Sequence, residues 1–153
     1  MTDPLRALLR RALLMSADEL ATAVASEARA LGAREAVIYL VDHEQAHLVP
    51  VPNEHGPGRQ SLRVEGTVGG LAYRRGEVVA APGHERPSRL WVPLINGSER
   101  LGALELIFAT PVPDVEEEAR LLAALVAELI VVKDSCSDAF SRLRLRRTPS
   151  LAA

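Results

Sequence analysis

Residues 66–106 read GTVGGLAYRRGEVVAAPGHERPSRLWVPLINGSERLGALEL, and this stretch decides the fold. Gly66, Gly69 and Gly70 crowd the start of a helix predicted over roughly residues 66–75, which Gly76 ends. Residues 78–81 read as a short strand, 82–88 as a loop and 90–95 as a longer strand. Asn96-Gly97 is the strongest two-residue hairpin signal, because both residue types tolerate positive φ. Residues 101–109 return as the next strand, which Pro111 and Pro113 stop. A short helix followed by strands joined through a tight turn predicts a mixed α/β domain.

Toward the N-terminus, residues 4–14 (PLRALLRRALL) read as a short basic amphipathic helix, so residues 1–15 form a first segment. Ser16 is placed as an N-cap, with Glu19 completing a capping box. The helix it starts carries Ala17, Leu20, Val24, Ala28 and Leu31 on one apolar face, and Gly32 is its stop. Residues 35–42 (EAVIYLVD) read as a strand buried on both faces. Residues 47–51 form a weaker strand that Pro50 and Pro52 push toward a sheet edge. Residues 52–60 are loop, and 61–65 pair briefly.

Toward the C-terminus, Asp114 is expected to cap the last helix, with Glu117 closing a capping box. Glu116, Glu117 and Glu118 in its first turn, and Arg142, Arg144, Arg146 and Arg147 near its far end, suit the helix dipole. Leu122, Leu125, Leu129, Val132, Cys136, Ala139 and Leu143 follow spacings of three and four, the period of a coiled-coil seam. Leu121, Ala124, Ala127 and Val131 form a second stripe. Two stripes predict a helix that packs on the sheet with one and on a partner chain with the other, giving a homodimer. The plainer alternative buries both against the sheet and the first helix. Cys136 on the seam serves as a small apolar filler. Residues 132–147 are thus a signalling or dimerisation extension, and 148–153 an unstructured tail.

Composition bounds the function. The 153 residues suit one domain with a real core, and 48% hydrophobic with 25% charged residues is ordinary for a soluble protein. The net charge of −2 offers no broad field for nucleic acid. No apolar run reaches the roughly 20 residues of a membrane span. The one cysteine cannot build a disulfide framework or a zinc cluster and suits a reducing, cytoplasmic setting.

His43-Glu44-Gln45-Ala46-His47 matches H-E-x-x-H, the zinc peptidase pattern. That chemistry needs a helix to set both imidazoles on one face. Here the five residues join two predicted strands, and the nearest third ligand would be His55 on a Pro/Gly loop. The zinc peptidase reading is therefore set aside, and no metal or catalytic residue is assigned. Gly66-x-x-Gly69-Gly70 lacks both the dinucleotide fingerprint and the P-loop lysine, so tight helix–sheet packing explains it better than an anion cradle. His84 and Glu85 fall on a loop and read as solvated.

From about Ser16 to Ile130 the chain resembles the GAF domain family. GTVGGLAYRRGEVV is similar to the family's glycine-rich block, and WVPLINGSERLGALEL to its strand, hairpin and G-x-L-E-L pattern. The resemblance implies a sensory module over residues 16–131. Its central antiparallel sheet has five or six strands, with the terminal helices on one face and the short helix and loops on the other. It places a ligand, where one binds, between the sheet and the helix near 66–75. Tyr39, Gly69, Tyr73, Trp91 and Glu105 are the candidate pocket residues. No particular cofactor is implied. No cysteine lies near that pocket for a covalent bilin, and the family's methionine sulfoxide reductases need more than one cysteine.

Three longer segments, ALGAREAVIYLVDHEQAHLVPVP, RLWVPLINGSERLGALEL and the chain from Leu121 onward, are similar to the sensor region of bacterial metal-dependent protein serine/threonine phosphatases of the sporulation-stage-II-E type. That resemblance implies control of a downstream phosphatase domain in sigma-factor partner-switching. The chain holds neither room nor an acidic-ligand pattern for the phosphatase itself. The expected function is a dimeric, non-catalytic sensor, with a ligand-free dimerisation scaffold as the alternative.

Overall fold

In a computed structural model, residues 16–52, 58–81, 88–110 and 114–136 are described. The N-terminal basic helix, His55, His84, Glu85, Ala139, Leu143 and the tail lie outside them, as does the Cys136 side chain.

Among the described residues, two runs of three strands are separated and flanked by three helices: α1 (Ala17–Ala30), β1 (Glu35–Val41), β2 (His47–Pro50), β3 (Leu62–Arg63), α2 (Val68–Arg75), β4 (Val79–Ala81), β5 (Ser88–Asn96), β6 (Glu99–Phe108) and α3 (Glu116–Cys136). The strands form one antiparallel sheet in the order β3-β2-β1-β6-β5-β4. The two longest strands, β5 and β6, lie next to each other near its centre.

Local chemistry sets the element ends. Ser16 accepts a hydrogen bond from the Glu19 amide at 3.2 Å and opens α1. Gly32, at φ +94°, closes α1 while the Gly32 and Ala33 amides donate to Arg29 and Ala28. This is the glycine-terminated double bond of a Schellman turn. The last helix departs from expectation. Asp114 is left-handed at φ +55°, and the Ala119 amide donates to Val115, so α3 starts at Glu116 with Val115 in the cap position. The hairpin also sits one residue later than Asn96-Gly97. Asn96 pairs with Glu99, leaving Gly97-Ser98 as the turn, and Gly97 alone takes positive φ, the pattern of a type II′ turn. A register shift between Leu94 and Ile95 accommodates it. β2 is not an edge strand, because β3 pairs with His47 and Leu48. Pro50 falls beyond that ladder, where its missing N–H costs nothing.

The sheet divides the core in two. On one face α1 and α3 cover Ile38, Leu40, Leu90, Val92, Leu94, Leu104, Leu106 and Phe108. On the other, α2 covers Tyr39, Leu48, Trp91 and Ala103, and adds Ala72 and Tyr73 from itself. The two sets alternate along each strand, as the pleat requires.

α3 lies mainly on β5 and buries Ala119, Leu122, Ala123, Val126, Ala127, Leu129 and Ile130. Leu122 and Leu129, two residues of the predicted dimer seam, are therefore taken into the chain's own core. A straight helix on a sheet follows a 3.6-residue period and not the 3.5 of a supercoil, so the buried face drifts off the heptad. Ala127, from the second stripe, is buried beside them, while Leu125, Val131 and Val132 are half-buried and Leu121 is 66% exposed.

Candidate functional site

Alternation puts Tyr39 of β1, Trp91 of β5 and Glu105 of β6 on the α2 side of the sheet. Glu105 pairs across strands with Val37 and with Trp91, so it stands in the middle of that face. The Tyr39 and Trp91 rings lie 5.5 Å apart between centroids and are tilted at 47°, a favourable aromatic arrangement. α2 approaches very closely. A Cβ on Gly69 would fall 2.8 Å from the Trp91 ring, and one on Gly70 only 1.7 Å from the Val64 carbonyl oxygen. The glycines are needed so that backbone can rest on an indole. Thr67 caps the helix by accepting from the Gly70 amide at 3.1 Å, and its hydroxyl donates to the Arg63 carbonyl. The Gly70 amide is thus committed to the cap, and Gly69 and Gly70 serve packing.

Tyr39, Gly69, Tyr73 and Trp91 are brought into one cluster, and Glu105 flanks it. Glu105 is the chemical centre, with only 1% of its surface exposed. Its Oε2 accepts from Arg89 at 3.3 Å, while Oε1 is buried without a hydrogen-bond partner: the Tyr39 hydroxyl lies close enough to favour the charged carboxylate but does not meet hydrogen-bond geometry. Burial pushes its carboxyl above the usual carboxylate range, and Arg59 and Arg89 pull against that shift. Burial first, and then the Glu105 charge, push the Tyr39 hydroxyl up to about 12. Tyr73 is also raised by burial. At neutral pH both tyrosines are therefore neutral hydroxyls able to donate. A buried acceptor without a donor costs free energy, about 1–3 kcal/mol, and such a group suits a bound partner that supplies the donor.

Two arginines that pattern reading missed complete this surround. Arg89 precedes Trp91 by two residues, so strand alternation alone could have placed it on the same face. Arg59 comes from the loop after β2 and pairs with Glu35 at 2.6 Å. No local pattern marks it, since only the fold brings residue 59 to residue 35.

The H-E-x-x-H stretch is a strand-to-strand turn. Asp42, 7% exposed, organises it: Oδ1 accepts from the Ala46 and His47 amides at 2.8 and 3.2 Å, and Oδ2 pairs with the His47 ring at 3.1 Å. Burial raises the Asp42 carboxyl, but those donors outweigh it and hold the group below its ordinary value. Gln45 at φ +59° turns the chain. His47 thus faces a carboxylate at the base of the turn, and among the described residues no group of three His, Cys, Asp or Glu side chains could hold a metal ion. Among those residues, too, no helix is long and apolar enough to cross a membrane.

The family model of the GAF domain matches residues 16–132. No curated protein matches the chain. Among solved structures, it is similar to the GAF domain of an Acinetobacter phosphoenolpyruvate-protein phosphotransferase, with 20% identity over 90% of this chain and 99% of that one and a TM-score of 0.66. It is similar to the GAF-B domain of DevS from Mycobacterium smegmatis, with 19% identity over 73% and 90% and a TM-score of 0.59. It is also similar to a free methionine-R-sulfoxide reductase from Neisseria meningitidis, solved with its substrate, with 19% identity over 88% and 95% and a TM-score of 0.61. At these identities the structures speak for the fold. The family match covers most of the chain, which therefore belongs to the GAF domain family.

Proposed function

We propose that this GAF domain is a non-catalytic, dimeric sensor whose small-molecule ligand lies on the α2 face against Tyr39, Tyr73, Trp91 and Glu105. The GAF domain is a regulatory module of signalling proteins, and the role fits that family. One observation carries the ligand reading: a carboxylate 1% exposed, beside an aromatic pair, with one oxygen unpartnered. The route to an output is physical. β5 presents Trp91 to α2 and Leu90, Val92 and Leu94 to the face that α3 covers. A ligand that moves Trp91 tilts β5, and α3 rides on β5. Two-state coupling through such a helix is a known kind of transition.

A native mass spectrum of the purified chain tests this. A dimer retaining extra mass that denaturation removes supports the sensor. A bare dimer supports a second reading, a ligand-free scaffold, which the tight contact of Gly69 on Trp91 favours. A bare monomer ends the dimer proposal for this chain. Removing residues 132–153 should change the oligomeric state or the ligand response; if neither changes, α3 is not the output.

The finer proposal is control of a protein serine/threonine phosphatase in sigma-factor regulation, supported by the sequence resemblance alone. It requires that deleting residues 16–131 from a protein carrying both domains alters phosphatase rate. Some structural relatives reduce methionine sulfoxide. This chain's one cysteine, Cys136, falls on α3, far along the sequence from the α2 face.

A further inference from the structure

A cavity opens under α1, at the β1–β2 end of the sheet. It is a cleft of about 720 Å³ between α1 and the end of β1 and β2, and none of its lining belongs to α2, β5 or β6. Its lining includes Ala21, Ala25, Ala36, Ile38 and Val51, which are apolar, and three guanidinium groups, Arg29, Arg34 and Arg59. Glu35 is its one carboxylate, so the formal balance of these side chains is positive by two.

Arg59 is already paired with Glu35 through one terminal nitrogen, yet its Nε is buried without a partner. Among the described residues, Arg29 and Arg34 have no ion pair. A buried N–H donor with no acceptor costs about 1–3 kcal/mol, and an incoming acceptor would remove that cost. Guanidinium groups match carboxylate and phosphate oxygens two at a time. The negative end of α1 lies beside Arg29 and works against an anion. Its fractional charge of about half an electron is outweighed by the three guanidiniums. The volume falls within the roughly 300–1,000 Å³ of small-molecule sites, far more than a bare inorganic ion fills.

We propose that the cleft between α1 and the β1–β2 end binds an organic anion, its carboxylate or phosphate held by Arg29, Arg34 and Arg59 and its apolar body laid on Ala25, Ile38 and Val51. The cleft shares Arg59 with the surround of Glu105 but opens under α1, so shifts at Thr22 and Ser26 of α1 distinguish its occupant from a ligand on the α2 face.

Phenyl phosphate is the probe, titrated into ¹⁵N-labelled full chain while amide shifts are followed. The expected result is saturable shifts at Thr22, Ser26 and Ala36 with a Kd below about 1 mM. Benzyl alcohol, which lacks the anion, and inorganic phosphate, which lacks the apolar body, should each bind at least about tenfold more weakly. Charge reversal at two exposed positions, Arg29→Glu with Arg34→Glu, should weaken phenyl phosphate by at least about tenfold while the spectrum stays folded. Ala25→Trp, which fills the cleft, should abolish the shifts. Equal affinity for inorganic phosphate, unchanged affinity in the charge-reversed chain, or shifts confined to Gly69, Tyr73 and Trp91 would each overturn the proposal.

Discussion

The two faces of the sheet are built for different ends. The face under α1 and α3 is aliphatic and, away from the cleft at the β1–β2 end, closely packed: Leu20, Val24, Leu94, Leu104, Leu106, Leu129 and Ile130 are wholly buried there, and among the described residues no buried charge shares that core. The face under α2 carries the Tyr39–Trp91 pair, two glycines against which a Cβ would clash, and a buried carboxylate with an unmet oxygen. A domain gains nothing in stability from Glu105 where a leucine could stand. The first face holds the fold, and the second carries a polar defect that a bound donor would relieve.

The sharpest way to break this contrast is to empty the first face. Leu129→Ala should cost about 3–4 kcal/mol, since a wholly buried leucine leaves a cavity between α3 and the sheet. Chemical denaturation measures it; a loss under about 1 kcal/mol would mean α3 is loosely held. On the second face the largest loss should come from the close approach of α2. Gly70→Ala places a methyl into the Val64 carbonyl and should cost about 3 kcal/mol, whereas Gly69→Ala meets the Trp91 side chain at a longer distance and should cost less. If the two glycines prove equally tolerant, the approach of α2 is not set by backbone contact.

Asp42→Ala should come next, at about 2 kcal/mol, because it strips two backbone amides of their acceptor. Its carboxyl is depressed in the fold, so its contribution is present above the unfolded value of about 3.8 and is lost as pH falls through the lower folded value. Wild type and Asp42→Ala should therefore converge in stability in acid. Curves that stay parallel to pH 2, a value well into that range, would place the turn's stability elsewhere.

How far the sequence foretells this contrast differs between the faces. Helix ends marked by Ser16, Gly32 and Gly76 are legible because capping is local chemistry. Strand periods are legible too, and with the resemblance they give the layer order. The polar surround of Glu105 is only half legible. The G-x-L-E-L pattern singles out the glutamate, and Arg89 follows from alternation, but Arg59 reaches Glu35 through a loop whose course no local pattern records. The heptad reading of α3 fails in part for a related reason. Three-and-four spacing is common to coiled coils and to helices on sheets, and only the fold shows that Leu122 and Leu129 face inward.

Glu105→Gln tests the polar defect directly. The folded pKa is raised, so wild-type stability falls as pH rises from about 4.5 to the folded value and is flat above it. The neutral amide keeps the shape without the buried charge. It should stabilise the domain by about 1 kcal/mol at pH 7 and remove that acid-range slope. A large loss of stability instead would mean that the Arg89 pair holds the face together, and the binding argument would weaken.

The smallest expected effect on the monomer decides the largest question about assembly. Leu121 is 66% exposed on α3, on the side turned from the sheet, with Leu125 half-buried beside it. Leu121→Ser removes almost no buried surface within one chain, so unfolding should shift by no more than about 0.5 kcal/mol. If α3 pairs with a second copy, that same residue lies in the contact, where burying a leucine contributes roughly 1.5–3 kcal/mol per chain. The dimer should then dissociate at protein concentrations about tenfold or more above the wild-type midpoint, read by sedimentation. An unchanged midpoint would move any pairing surface off this stripe, since Leu122 and Leu129 are already enclosed by the chain's own core.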